Sequence, residues 1–358
     1  MPAAVASAMH TKPNMRVLLG MSGGVDSSVA ALLLKNSGVD VLGVTLLLTQ
    51  EDNGQNAHDA ALVSDSLGIS HITYDLRKEF KASVTNHFIA EYQNGRTPNP
   101  CVVCNQKIKF GKMLDIAAEY NCDLIATGHY AKVKKDAESG MYALQKAACT
   151  EKDQTYFLYT LSQETLSKVL MPLGDYAKEE VRKLAEEHYL VSAKKRDSQD
   201  ICFIPDGDKN RYLKHFLPEK PGNFVDINGN ILGTHQGIFH YTVGQRKGLG
   251  TAFGKPMFVL SINPQDNTVV LGEAGSEFSK GCVVENCNFI PFDKAPDGFF
   301  CLCKVRYSAK EIPCRLKQTG FGYEVHFDKP QRAITPGQAA VFYVEDTVIG
   351  GGTIRCAL

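Results

Sequence analysis

The segment from Met15 to Met21 is an apolar run that ends in Ser22-Gly23-Gly24. Without polar alternation, such a run reads as a strand buried on both faces, which occurs where helices cover both sides of a parallel sheet. Ser27 to Asn36 then carries apolar residues around a helical face, and Gly38 supplies a stop signal. A second strand follows at Val41 to Leu48, a helix from Ala57 to Leu67 closed by Gly68, a third strand at Ile69 to Asp75 and a fourth at Asp123 to Thr127. Strands alternating with helices predict an α/β fold with a parallel sheet. Ligands of such sheets sit beyond the carboxyl ends of the strands, which is where Ser22-Gly23-Gly24 falls.

The pattern changes after Cys202. Phe203 to Leu217 is mixed, and Pro218 and Pro221-Gly222 punctuate it. From Phe224 short strands alternate with turn signals such as Asn228-Gly229-Asn230 and Asn263-Pro264. Beyond Gly281 the chain is nearly all strand-like: Phe299 to Tyr307, Glu311 to Gln318, Tyr323 to Phe327 and Ala340 to Glu345. This spacing predicts a small barrel or sandwich. The expected divisions are a disordered start at 1–14, an α/β domain at 15–205, a central domain at 206–275 and a β-barrel at 276–358.

The 39 basic and 39 acidic residues balance, so overall charge does not select a nucleic-acid partner. Phosphate contacts would have to come from local patches. Candidates are Lys107, Lys109 and Lys112; Lys132, Lys134 and Lys135; Lys194, Lys195 and Arg196; and Arg246 with Lys247. No apolar run is long enough to cross a bilayer, and the first fourteen residues lack the layout of a secretory signal. A cytoplasmic, membrane-free setting is expected. There the eleven cysteines are read as buried, metal-binding or catalytic, not as permanent bridges.

Ser22-Gly23-Gly24-Val25-Asp26-Ser27-Ser28, between strand and helix, is the strongest motif. Two glycines let backbone N–H groups approach a phosphate, and the following helix adds its positive end. No Gly-Lys-Ser/Thr closes it, so it is not a Walker A loop. It is similar to the PP-loop of enzymes that split ATP into AMP and pyrophosphate, adenylating a carbonyl oxygen that a nucleophile then displaces. Asp26 is expected to orient the loop or help position Mg²⁺, and His129 to order it.

Two cysteine sites stand out. In Asn99-Pro100-Cys101-Val102-Val103-Cys104-Asn105, a helix-like stretch from Lys107 to Tyr120 follows, so Cys104 is expected near a helix N-terminus with Lys107 and Lys109 close by. Both influences lower a thiol pKa. The other is Cys202 in Asp197-Ser198-Gln199-Asp200-Ile201-Cys202-Phe203. A thiolate can carry sulfur as a persulfide, and a second cysteine can release it by disulfide formation. Cys301 and Cys303 share one strand face, with Cys314 on an expected neighbour. They read as buried small hydrophobes.

Gly20 to Ser28 and Gly95-Arg96-Thr97-Pro98-Asn99-Pro100 resemble motifs of the bacterial tRNA 2-thiouridylase family. So do Ala126-Thr127-Gly128-His129-Tyr130, Lys152-Asp153-Gln154, Phe157-Leu158-Tyr159, Cys202-Phe203-Ile204, Gly244 to Gly250 and Thr335-Pro336-Gly337-Gln338. The resemblance runs from Arg16 to the C-terminus. It implies a nucleotide domain, a small central domain and a C-terminal tRNA-binding β-barrel, and it implies ATP-dependent conversion of the wobble uridine of tRNAs for lysine, glutamate and glutamine to 2-thiouridine. By position, Gly20, Met21, Ser22, Gly23, Gly24, Val25, Asp26, Ser27 and Gly128 would hold ATP with Mg²⁺, with the Leu46 backbone against adenine. Asn99, Pro100 and Cys101 would meet the target base. Cys104 would be the nucleophile and Cys202 the persulfide carrier, loaded by a cysteine desulfurase or a relay protein. Lys152, Asp153, Gln154, Arg306 and Tyr307 would contact tRNA.

Cys101 stands where many members have Asp, whose acid–base role a thiol does not replace. Cys101, Cys104 and Cys202 resemble instead the three-cysteine set of iron–sulfur-dependent tRNA thiolases, in which a four-iron four-sulfur cluster could bind hydrosulfide. Two other readings stay open: a related adenylating enzyme that needs no cysteines, and a non-enzymatic tRNA-binding or iron–sulfur sensor protein.

Overall fold

The computed structural model describes residues 15–50, 54–195, 201–204, 206–251 and 253–358. The expected disordered start at 1–14, Arg196 of the third basic patch and Asp197, Ser198, Gln199 and Asp200 of the second cysteine motif lie outside the described residues. The chain forms two compact units. One comprises Met1–Val84, Cys101–Gln199 and Glu345–Ile349; the other comprises Thr85–Pro100, Asp200–Val344 and Gly350–Leu358.

The first unit opens with β1 (Arg16–Gly20), α1 (Val25–Asn36), β2 (Asp40–Leu47), α2 (Gln55–Leu67), β3 (Ser70–Asp75) and α3 (Arg77–Phe80). After α4 (Asn86–Gln93), which belongs to the second unit, come α5 (Pro100–Cys104), α6 (Met113–Glu119), β4 (Leu124–Ala126), the hairpin β5 (Ala131–Lys135) and β6 (Tyr142–Lys146), α7 (Gln163–Leu166), β7 (Val169–Leu170) and α8 (Lys178–Glu187). The sheet order is β3-β2-β1-β4-β7, and every neighbouring pair is parallel. β1 is central, and Val17, Leu18 and Leu19 are fully buried. This is why the segment shows no polar alternation. Val29, Ala30 and Leu34 of α1 and Val181 and Ala185 of α8 share the core with Val17 and Leu19. Successive strands build outward from β1 through β2 to β3, then return on its other side at β4. The chain direction therefore switches beside β1, the position where such sheets open a crevice.

The first helix starts at Val25, two residues earlier than its apolar pattern shows, and the helical run that the sequence places from Lys107 starts at Pro100. Between α5 and α6 the helix widens into π-type turns over Asn105–Lys112. The β5–β6 hairpin and the two-residue β7 were not foreseen, because elements this short carry too few residues to show a period.

The second unit continues with α9 (Lys209–Lys214), then β8 (Gly222–Val225), β9 (Ile231–His235), β10 (Met257–Asn263) and β11 (Thr268–Glu273) in the order β10-β11-β8-β9. Phe224, Tyr241, Val259, Val269 and Leu271 form its core. Next come β12 (Phe278–Phe289), β13 (Phe299–Lys304), β14 (Ile312–Thr319), β15 (Gly322–Arg332), β16 (Ala339–Val344) and β17 (Thr347–Ala357). These run β12-β15-β14-β13-β16-β17, and pairing of β12 with β17 closes a six-stranded barrel. Closure removes exposed strand edges. Cys301 pairs with Cys314 in register, and with Cys303 both are buried.

Two motifs about 240 residues apart fasten each other inside this unit. The Thr97 N–H donates to the Pro336 carbonyl at 2.8 Å, and Gln338 Nε2 donates to the Thr97 carbonyl at 2.8 Å. Arg96 bridges Glu91 at 2.9 Å and Glu285 at 3.1 Å. Gly337 has φ +91°, and a side chain there would come within 3.0 Å of the Thr97 backbone. Both the φ and the space require glycine. Gly337→Ala is expected to destabilise the protein by about 1–3 kcal/mol, read as a lowered thermal midpoint by circular dichroism.

Candidate active site

The strand-to-helix loop lies at the carboxyl end of β1. Gly23 takes φ +67°, and a β-carbon there would lie 2.7 Å from the Asn56 carbonyl oxygen. Gly24 is the N-cap of α1, and no side chain caps the helix. The leading N–H groups of α1 have no partner within the helix itself, and the helix dipole adds partial positive charge at the same point. This is a ready anion site. Ser27 Oγ and Ser28 Oγ both donate to the Gly24 carbonyl, at 3.1 and 2.8 Å. These hydroxyls hold the loop. Ser22 N–H donates to Ser27 Oγ at 3.2 Å.

Surrounding elements fix this loop. Met21 N–H donates to the Val44 carbonyl at 2.8 Å, and Thr45 Oγ1 donates to the Met21 carbonyl at 2.8 Å. Two residues on from Val44, the Leu46 peptide groups face the same side by strand alternation, past the end of β1. Gly20 leaves room for the Met113 side chain of α6. Gly128, at the end of β4, packs on the start of α1: a β-carbon there would lie 3.1 Å from Ser27 N. Its neighbour His129 is buried, with Nδ1 2.8 Å from Thr127 Oγ1 and its ring beside Phe110. Burial, with Lys109 adding to it, holds its pKa well below the usual histidine value. A neutral imidazole orders the strand end here.

Asp26 gains two partners that sequence reasoning missed. Its Oδ1 accepts from Tyr130 Oη at 2.8 Å and from Lys178 Nζ at 2.6 Å. Tyr130 and Lys178 are buried. The carboxylate is anchored by the fold, which supports its orienting role. No local signal could reveal a lysine 152 residues away.

Asn99 precedes α5 and Pro100 opens it, where a missing N–H costs nothing. Cys101 is therefore the second helical residue and Cys104 the fifth, so the helix start belongs to Cys101, not to Cys104 as the sequence suggested. Cys104 is buried. Cys101 is exposed as a residue, yet surrounding atoms crowd its thiol, and that desolvation raises its pKa although Lys109 acts to lower it. Asn105, next to Cys104, donates from Nδ2 to the Phe157 carbonyl at 3.2 Å. In the second unit Cys202 is exposed, and the adjacent Phe203 is buried edge-on against Phe88 and Tyr212. The ring anchors the segment that presents this thiol. Among the described residues no group of three or more His, Cys, Asp or Glu side chains is arranged to hold a metal ion.

The expected RNA contacts divide. Asp153 is buried, accepting the Ala147 N–H at 3.1 Å and the Thr155 hydroxyl at 2.6 Å. Gln154 accepts the Tyr130 N–H on Oε1 at 3.0 Å and donates its own N–H to the Tyr130 carbonyl at 2.9 Å. Both shape the segment that carries Lys152, which is partly exposed. Arg306 Nη2 donates to the carbonyls of Val243, at 3.2 Å, and Ala333 and to the Thr335 hydroxyl, so it binds the second unit together. Tyr307 is exposed, with Lys304 Nζ 5.3 Å from its ring centroid, a pairing of stacking surface and charge. No helix among the described residues is long and apolar enough to cross a membrane.

Three family descriptions match consecutive parts of the chain: "tRNA methyl transferase HUP domain" at 15–206, "tRNA methyl transferase PRC-barrel domain" at 210–273 and "Aminomethyltransferase beta-barrel domain" at 279–354. The chain is 46% identical to the tRNA-specific 2-thiouridylase MnmA of Clostridioides difficile, over 96% of this chain and 99% of the relative. It is 47% identical to the protein of that name from Carboxydothermus hydrogenoformans, over 95% and 97%. Among solved structures, the NMN synthetase of Francisella tularensis is similar over 55% of this chain and 71% of its own, at 19% identity and a TM-score of 0.36. With 46–47% identity to these relatives over nearly the whole length of each chain, and with the loop, the helix start and the barrel in place, the chain belongs to the tRNA-specific 2-thiouridylase family.

Proposed function

We propose that this protein converts a tRNA uridine, at the wobble position of the tRNAs for lysine, glutamate and glutamine, to 2-thiouridine at the expense of ATP. The uncapped start of α1 behind a left-handed Gly23 carries this reading, since it is built for a phosphate. Gly20 to Ser27 and Gly128 hold the nucleotide with Mg²⁺, and the Leu46 backbone meets adenine. Asn99, Pro100 and Cys101 lie against the base, while Lys152 and Tyr307 touch RNA. Asp153, Gln154 and Arg306 shape the surfaces that do so. The nucleotide domain, central domain and barrel divide catalysis and tRNA binding between them.

The uridine C2 oxygen attacks the α-phosphorus and pyrophosphate leaves. The terminal sulfur of a Cys202 persulfide adds to C2, and the C2–O bond breaks to release AMP. The Cys104 thiolate then attacks Cys202 Sγ, the sulfur–sulfur bond breaks, and the base keeps the sulfur. A Cys104–Cys202 disulfide remains, reduced and reloaded by an external thiol and by sulfur from a desulfurase or relay protein. The alternative of an iron–sulfur cluster on Cys101, Cys104 and Cys202 needs three thiolates. Among the described residues no three such side chains are grouped to hold a metal ion, and the persulfide reading needs only Cys104 and Cys202.

The test is incubation of the purified protein with tRNA, ATP and a persulfide donor, followed by nucleoside mass spectrometry and pyrophosphate measurement. One 2-thiouridine per pyrophosphate is expected. A methylated uridine, or no pyrophosphate, rejects the proposal. Cys104→Ala and Cys202→Ala are each expected to lower 2-thiouridine formation about 100-fold or more. Cys101→Ala keeps most of the activity under the persulfide reading and loses it under the cluster reading. Gly23→Ala, strained by about 1–2 kcal/mol at its positive φ, is expected to raise the KM for ATP while leaving tRNA binding by filter assay intact.

A further inference from the structure

An aspartate in the first turn of a phosphate-binding helix sets two charges against each other. Its carboxylate competes with phosphate for the same N–H groups, and it repels an anion bound there. In this protein Asp26 Oδ1 is instead held by Tyr130 Oη at 2.8 Å and Lys178 Nζ at 2.6 Å. Lys178 is the first residue of α8, whose Val181 and Ala185 share the core with α1. The lysine is 6% exposed, so its charge meets the carboxylate with little screening by water.

Tyr130 is the second half of the arrangement. Its backbone forms a two-bond clamp with Gln154, 3.0 Å through the amide oxygen and 2.9 Å through the Gln154 N–H. Asp153 makes the adjoining segment one rigid piece through Ala147 and Thr155. A continuous line of hydrogen bonds thus joins the Lys152–Gln154 segment to the first turn of α1, and the phenol is its last link.

We infer that Tyr130 and Lys178 are positioning residues that keep the Asp26 carboxylate off the phosphate-binding N–H groups, and that through Tyr130 the binding of tRNA at Lys152–Gln154 tightens the binding of ATP. The inference rests on the reading that the α1 loop takes ATP and that Lys152 meets tRNA. Coupling between two sites acts equally in both directions, so ATP tightens tRNA by the same factor.

The experiment measures the Kd of α,β-methylene ATP with and without unmodified tRNA, and the Kd of that tRNA with and without the analogue, in the wild type, Tyr130→Phe and Lys178→Met. In the wild type each ligand is expected to lower the other's Kd by a factor of roughly 5 or more. Tyr130→Phe loses only a hydroxyl. It is expected to bind the analogue about 10-fold more weakly with no response to tRNA, while its tRNA affinity without analogue matches the wild type. Lys178→Met is expected to weaken the analogue further, and a thermal melt of each variant identifies any loss of fold. A Tyr130→Phe protein whose analogue affinity responds to tRNA as the wild type does overturns the coupling. A wild type that binds both ligands with independent affinities also overturns it, yet leaves the proposed reaction standing. A wild type that binds no analogue overturns both.

Discussion

A helix whose leading N–H groups lack a capping side chain must find an acceptor elsewhere, and that constraint organises the nucleotide unit. Gly24 offers no side chain to α1, and the serines beyond it donate to the Gly24 carbonyl instead of capping N–H groups. The loop is therefore held while the leading N–H groups of α1 take no capping side chain. The reversal of strand order at β1, with β2 on one side and β4 on the other, opens the crevice above it. Glycine at 23 supplies the left-handed turn, and glycines at 20 and 128 let a methionine and a strand end approach.

Around that loop, several side chains expected to meet ligands also hold their own unit together. Asp26, Asp153, Gln154 and Arg306 all face partners inside their own unit. Buried polar groups must be paired, and pairing fixes their direction. Rigidity of this kind suits the proposed reaction, which depends on holding reacting groups in one geometry.

The cysteines divide by environment. Cys301, Cys303 and Cys314 fill the barrel core and their thiols are pushed up: at Cys301 by contact with Cys314, at Cys303 by burial, and at Cys314 by Cys303 and burial against the lowering contact of Cys301. They serve as small apolar side chains, as their strand spacing predicts. Cys202 is exposed and carried by an anchored Phe203. Cys104 is buried beside an asparagine that ties its helix to the Phe157 turn.

The sequence alone determined the central strand, the glycine loop, the parallel α/β class and the barrel-like finish, because these depend on periodicity and on glycine's freedom, both local properties. It placed the start of the Cys101–Cys104 helix seven residues late, at Lys107, although proline at 100 is well suited to the first helical position. Only the tertiary structure decided that Lys178 and Tyr130 meet Asp26, that Thr97 locks onto Gly337, and which motif residues face inward. Long side chains and distant loops meet through packing, and no local pattern records where a buried charge will find its partner.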